Sequence, residues 1–289
     1  MKVLLHIWSA APSLLSRYGY VADQLRASGH DVDLVLSVEP AALMVADYGM
    51  VFSHFTLPDA LRTQLPGKCF GARQLTRGEQ LNLLAGFGFP TMEWMLVGDK
   101  ASALDLFATW GVDKLIVKES FTSSGKGFHV FTPNQARVGD WDLSQDVICK
   151  EVNPNDGNTY KAELFNGRVL ISFVLKKQPL SARLLAGSLD AAGFRQLAVY
   201  RDELERPDER HRELFEFPDA DQAALEKLSR QLTDAGFGYV VVDLMRKPDG
   251  SFVAIELNLS GVTTWWTEQW AQVRQRLADG MVELAQSLQ

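Results

Sequence analysis

The stretch YVVVDLMRKPDGSFVAIELNLS, residues 239–260, constrains the fold more than any other part of the chain. Two apolar, β-branched runs flank Pro248-Asp249-Gly250, a pattern that reads as an antiparallel hairpin. A two-residue turn at Asp249-Gly250 places Asp243 directly opposite Glu256. Side chains alternate along a strand, so Asn258 shares the face of Glu256. Val242, Leu244, Val253, Ile255 and Leu257 then take the other, apolar face. Opposed carboxylates repel and raise each other's pKa, an arrangement that no purely structural hairpin needs. On this basis, removing the charge of Glu256 should relieve strain in the unliganded protein. A divalent cation would also remove the conflict, and an oxygen-only set of Asp, Glu and Asn amide suits Mg2+ or Mn2+ rather than Zn2+. A longer turn would shift the register and leave both acids in solvent; the hairpin alone leaves that alternative open.

A second stretch, IVKESFTSSGKGFHVF at 116–131, sets a small-residue loop between two β-type runs. Lys118 stands on the first strand, and Ser123, Ser124, Gly125 and Lys126 lie in the loop. Such a loop is either an ordinary turn or a phosphate cover, whose backbone N–H groups and hydroxyls cradle anionic oxygens. It is not a Walker A loop, because G-x-x-x-x-G-K-[ST] is absent. The two stretches suit one another: Mg2+ with few protein ligands is normally completed by substrate phosphates.

The rest of the chain reads as alternating elements. KVLLHIW, DVDLVL and MVFSHF are strands, and a helix capped by Ser13 and stopped by Gly29 lies between the first two. This βαβ start predicts a small open parallel sheet, and its first turn lacks the glycines of a dinucleotide site. A helix spans 77–86, another 100–110, and TMEWMLV, KLIVKE and DVICKEV are strands. Asn166-Gly167 signals a hairpin between YKAELF and RVLISFVLKK. The chain ends in an amphipathic helix with Trp266, Trp270, Val273 and Leu277 on its packing stripe. The segment 201–219 reads as a solvated connection. His6 and His54, near strand ends, read as satisfied histidines.

Composition excludes some classes. At 289 residues, 46% apolar, the chain can bury a sizeable core in two or three subdomains. A net charge of −7 disfavours a nucleic-acid partner. The two cysteines, Cys69 and Cys149, lack metal spacing and read as reduced thiols of a cytoplasmic protein. MKVLLHIW is too short for a signal peptide, and no run is long enough to span a membrane.

Four motifs in order resemble the ATP-grasp superfamily, and the likeness covers nearly the whole length. LIVKESFTSSGKGFHVF is similar to its phosphate lysine and lid loop, and VICKEV to the strand entering its adenine hinge. YKAELFNGRVL is similar to the hairpin that follows, and VVVDLMRKPDGSFVAIELNLSG to the closing metal motif. The resemblance implies an α/β fold with a Rossmann-like pre-domain (1–90), a small lobe with the lid (91–155) and a large lobe with the metal site (156–289), ATP lying between the last two. It implies nucleotide contacts from Arg77, Lys118, Ser123, Ser124, Gly125 and Lys126. The hinge contacts would be Glu151, Val152 and Asn153. It implies two Mg2+ ions, or Mn2+, on Asp243, Glu256 and Asn258. Arg77 replaces the commoner lysine, which keeps the charge but offers a planar fork. Asp156 is the candidate ribose acid, although Thr159 occupies the more direct alignment. Arg183 is the candidate substrate arginine, with Lys176 and Lys177 as alternatives.

The implied activity is ATP-dependent ligation, with Arg77, Lys118 and Arg183 as catalytic residues. A carboxylate is activated as an acylphosphate and coupled to an amine, either substrate being a small molecule or a peptide. A homodimer is compatible with this. A small-molecule kinase and a non-catalytic nucleotide binder remain alternatives, and the intact metal residues argue against the second. Closure by a small, mobile loop gives a first prediction. Gly125→Val should reduce turnover far more than thermal stability, because a β-branched side chain stiffens the loop and obstructs phosphates. Limited proteolysis with and without Mg-ATP checks the movement; equal cutting rates would make the loop an ordinary turn.

Overall fold

The structure is a computed structural model that describes residues 1–37, 39, 44–96, 99–118, 128–134, 147–153, 156–176, 212–259 and 270–289. The chain opens as the βαβ pattern requires. Strands β1 (Lys2–Ile7), β2 (Asp31–Leu36), β3 (Met50–Thr56) and β4 (Cys69–Ala72) form a parallel sheet of order β2-β1-β3-β4. Helix α1 (Pro12–Ala27) connects the first two strands. It starts one residue before Ser13, with Ala11 at the N-cap and Pro12 at N1, where a missing N–H costs nothing. Helix α2 (Asp59–Gln64) and the short β4 are additions to the expected pattern.

Helix α3 (Arg77–Gly86) matches the expected bounds. The chain then pairs with a distant strand: Met92 N donates to Ala254 O and Ala254 N to Pro90 O, at 3.0 and 2.8 Å. Strands β5 (Trp94–Leu96), β6 (Leu115–Lys118), β7 (Phe128–Phe131) and β8 (Val147–Cys149) form an antiparallel sheet of order β5-β8-β6-β7, with helix α4 (Lys100–Trp110) packed on it. The third sheet, order β11-β10-β9-β12-β13, contains β9 (Thr159–Phe165), β10 (Arg168–Leu175), β11 (Arg212–Leu214), β12 (Val240–Arg246) and β13 (Phe252–Asn258). Asn166 and Gly167 turn β9 into β10 with φ of 45° and 73°, the left-handed pair of a type I′ hairpin. Helix α5 (Asp219–Asp234) covers one face of this sheet through Leu225, Leu228 and Leu232. Helix α6 (Trp270–Ser287) covers the other with Val273 and Leu277.

The first and third sheets share a core. Val3, Leu5, Tyr18 and Phe52 of the first pack with Phe165, Leu170, Val241 and Leu277 of the third region. Arg62 reinforces the seam. Its guanidinium donates to Gly236 O at 2.8 Å and to the carbonyls of Gly71 and Ala72, across the two units. Both cysteines are free and buried. Among the described residues no helix is long and apolar enough to cross a membrane.

Both edge histidines are core residues. His6 is satisfied on both nitrogens, by the Ser53 hydroxyl and the Ser37 carbonyl, each at 2.8 Å. His54 Nδ1 bonds the Tyr18 hydroxyl at 2.8 Å. Burial, aided by the charge of Arg17, lowers the His54 imidazole from 6.5 to about 3. It is therefore neutral in the fold but takes a proton in the unfolded chain below pH 6.5. Its contribution to stability is complete above that pH and is lost as pH falls toward 3. Between about pH 6 and pH 4, His54→Gln should flatten the pH dependence of unfolding by about 1 kcal/mol per pH unit, measured by urea titration against the parent.

Candidate functional site

The hairpin is built differently from the expectation, yet delivers the expected pair. Its turn is Pro248-Asp249-Gly250, three residues long: Lys247 N donates to Ser251 O at 2.8 Å, and Gly250 has φ of 89°. Near the turn Arg246 pairs with Phe252, Met245 with Val253 and Leu244 with Ala254. A β-bulge then intervenes, and Asp243 pairs with Glu256 and Val242 with Leu257. Ile255 is the extra residue. The longer turn and the bulge cancel, so the opposition of Asp243 and Glu256 stands while its assumed register does not. The assignment of faces changes too. Phe252, Ala254 and Leu257 share the core of Val242 and Leu244, whereas Val253 and Ile255 turn to the other side, against Leu81, Met92, Val147 and Cys149.

The bulge also leaves the Ile255 carbonyl outside the ladder, and Lys118 Nζ donates to it at 3.1 Å. Lys118 ends β6 and is only 9% exposed. Arg77 arrives from a third direction. A capping box, in which Thr76 Oγ1 accepts from Glu79 N and Glu79 Oε2 from Thr76 N, fixes the first turn of α3. Arg77, the first helical residue, is buried, and its Nη1 lies 2.8 Å from Glu256 Oε1. Asp243 has its own cation: Lys161 Nζ donates to Oδ2 at 2.7 Å, from the position on β9 directly paired with Asp243.

These pairings correct the picture of two strained carboxylates for Glu256 and leave it in force for Asp243. Burial works against the charge on Glu256, but Arg77 and then Lys118 outweigh it and hold the carboxyl below the ordinary range. Asp243 goes the other way: burial raises it, only partly opposed by Lys161, and the charge of Glu256 raises it further. Burial likewise lowers Lys118, against the attraction of Glu256. The Cys149 thiol, pushed up to about 11 by burial, is protonated at neutral pH and inert.

The donors suit a hard cation. Asp243 Oδ1 is buried and has no hydrogen-bond partner, a costly state for a carboxylate oxygen that a ligand would resolve. Glu256 and Asn258 flank Leu257 on the paired strand. Among the described residues no group of three His, Cys, Asp or Glu could hold a metal. Two carboxylates and an amide thus fit Mg2+ only where other oxygens complete its shell.

The segment 150–153, the expected hinge, leaves β8 beside this cluster. Lys150 N bonds Glu93 O, Val152 packs with Ile116 and Ile255, and Asn153 Nδ2 donates to Arg246 O at 3.1 Å. Glu151 is half-buried between them. Asp156 is occupied locally: Oδ1 accepts from Asn158 N at 3.0 Å and Oδ2 faces the Tyr160 hydroxyl. Lys176 pairs with Glu213 at the surface, at 2.5 Å. Ser123, Ser124, Gly125, Lys126, Lys177 and Arg183 lie outside the described residues. Lys161 was not foreseen. Its signal is a lone cation inside an apolar strand, but its partner depends on β9 pairing with β12, which no local pattern specifies.

No protein-family model matches this chain, and no curated protein matches it. Solved structures do. D-cycloserine synthetase DcsG aligns over 96% of this chain and 99% of its own, with 16% identity and a TM-score of 0.59. The ATP-grasp ligase PsnB, in complex with minimal precursor, Mg and ADP, aligns over 96% of each chain at 14% identity and a TM-score of 0.60. The macrocyclase MdnC of Microcystis aeruginosa MRC, bound to precursor peptide MdnA, aligns over 98% of this chain and 100% of its own, at 12% identity and a TM-score of 0.60. The fold is therefore that of the ATP-grasp enzymes, as the four motifs implied.

The Arg77–Glu256 pair reverses the sign of the sequence expectation for charge removal. Glu256→Gln leaves a buried guanidinium without its counter-charge, so the unliganded protein should lose about 1–3 kcal/mol of stability. Urea unfolding of variant and parent measures this; a gain would restore the repulsion argument.

Proposed function

We propose that this ATP-grasp chain is an ATP-dependent ligase that joins a carboxylate to an amine with release of ADP and phosphate. One observation carries the reading. Arg77 from α3, Lys118 from β6 and the Asp243, Glu256 and Asn258 set from β12 and β13 converge where the three units meet. The structural neighbours support it. One is named a synthetase of D-cycloserine, and another is an ATP-grasp ligase complexed with a precursor, Mg and ADP.

The charges suggest how the residues act. A carboxylate oxygen attacks the γ-phosphorus of ATP, and ADP leaves with the electron pair of the broken P–O bond. Anion approaches anion in this step, and negative charge spreads over the phosphoryl oxygens. Arg77 and Lys118 place fixed positive charge beside them in a buried setting, where it counts for more than in water. Asp243, Glu256 and Asn258 would hold Mg2+, or Mn2+, whose charge offsets that of the phosphates. Glu151, Val152 and Asn153 would bind the adenine end against the apolar surface of Ile116 and Ile255. Exclusion of water protects the acylphosphate. The amine then attacks the acyl carbon, loses a proton, and phosphate departs.

The substrates are a carboxylate and an amine on an amino acid, small molecule or peptide. Peptide binding is a property of neighbours such as MdnC. A screen of amino acids and short peptides, alone and in pairs, with mass spectrometry of the products, tests the reading. Release of ADP only with two co-substrates supports a ligase. A stable phosphorylated product from one substrate would mean a kinase. With the active pair, Lys118→Ala should lower turnover by about 3 kcal/mol of barrier, on the order of a hundredfold, by analogy with loss of an oxyanion donor.

A further inference from the structure

Charge balance at the carboxylates bears on how a cation reaches them. Among the described residues, the cations bonded at this centre are Arg77, on Glu256, Lys161, on Asp243, and Lys118, on the neighbouring Ile255 carbonyl. Among the described residues, these three cationic side chains surround Asp243 and Glu256. They are held in place by different elements: α3, β6 and β9. Lys161 is the most direct of them. It lies in register with Asp243, and both side chains are largely shielded, at 22% and 11% exposure. A divalent cation on the unpartnered Asp243 Oδ1 would sit within a few ångströms of the ammonium on Oδ2.

We propose that Lys161 is a resident counter-ion that keeps divalent metal off Asp243 until nucleotide phosphates arrive. The inference rests on the nucleotide-and-metal reading above and adds its order of assembly. Metal alone brings two more positive charges beside the Lys161 ammonium that already neutralises Asp243. A nucleoside polyphosphate brings several negative charges, gives Arg77, Lys118 and Lys161 new partners, and frees Asp243 and Glu256 for the metal. Nucleotide and metal therefore bind with positive coupling, and the coupling is reciprocal. Lys161 acts through Asp243 and is a positioning residue.

The test measures Mn2+ binding to the full chain by electron paramagnetic resonance, without nucleotide. The parent and Lys161→Arg should bind weakly. Lys161→Gln should bind at least tenfold more tightly, and Lys161→Gln combined with Asp243→Asn should lose that gain. Thermal unfolding accompanies each variant, so that a folding defect is seen separately. Adding ADP should tighten Mn2+ binding in the parent at least tenfold, and by a smaller factor in Lys161→Gln, whose obstacle is already gone. A folded Lys161→Gln that binds Mn2+ no better than the parent overturns the proposal. So does a gain that survives Asp243→Asn. Failure of ADP to bind in any metal condition would sink the ligase reading, while the metal-only comparison still decides the role of Lys161.

Discussion

The bulge at Ile255 is the constraint on which the site depends. A strand has a side-chain period of two, so a one-residue change of phase sends every following side chain to the opposite face. Without the bulge, the register set by the three-residue turn would continue, and Glu256 would face Val242 from inside the core. That core is formed by Val242, Leu244, Phe252, Leu232 and Phe237. With the bulge, Leu257 enters that core, and Glu256 and Asn258 face the seam. The same irregularity leaves the Ile255 carbonyl free to accept from Lys118. One inserted residue thus positions the carboxylate, the amide and the anchor of Lys118 together.

The second requirement is compensation of charge. Burying an ion costs several kcal/mol unless a partner and hydrogen bonds offset it. Each carboxylate has a partner from another element: Arg77 for Glu256, Lys161 for Asp243. The two differ in how well they are served. Glu256 is held below its ordinary pKa despite burial, by Arg77 and Lys118, and Asp243 above it, because burial and the charge of Glu256 outweigh Lys161; one Asp243 oxygen also has no hydrogen-bond partner. The less satisfied acid is the one with most to gain from a cation.

Much of this was legible in sequence because local rules sufficed. The βαβ start, the bounds of α3 and α4 and the Asn166-Gly167 turn follow from periodicity and turn chemistry, whereas the opposition of Asp243 to Glu256 was reached through a turn one residue too short, an error that the bulge offsets. Lys118 and Arg77 were placed by their likeness to ordered motifs. Other features were not legible, for different reasons. The bulge has no composition of its own, since Ile255 looks like any strand residue. The Arg77–Glu256 and Lys161–Asp243 pairs join residues far apart in the chain, whose proximity only the assembled sheets create. Helix α5 was legible in principle, because Leu225, Leu228 and Leu232 recur at helical spacing, but it passed unread beside the charged segment before it. The surroundings of Asp156 were not legible either: one oxygen accepts from the Asn158 amide and the other faces the Tyr160 hydroxyl of β9.

The placement of the site follows from how the units are joined. The first and third sheets share a continuous apolar core, sealed by Arg62 on Gly236 and by the edge contact of Phe52 with Phe165. Among the described residues, the sheet carrying Lys118 joins that body through the strand-like pairing of Pro90 and Met92 with Ala254, the apolar cluster of Leu81, Val147, Cys149, Val152 and Val253, and the Lys118 bond itself. Arg77 and the two carboxylates lie on the well-joined body, and Lys118 on the other. An anion bound between them would exchange the Lys118–carbonyl bond for a charge-assisted one. Binding energy would then be released between the sheet that carries Lys118 and the body that carries Arg77 and the carboxylates.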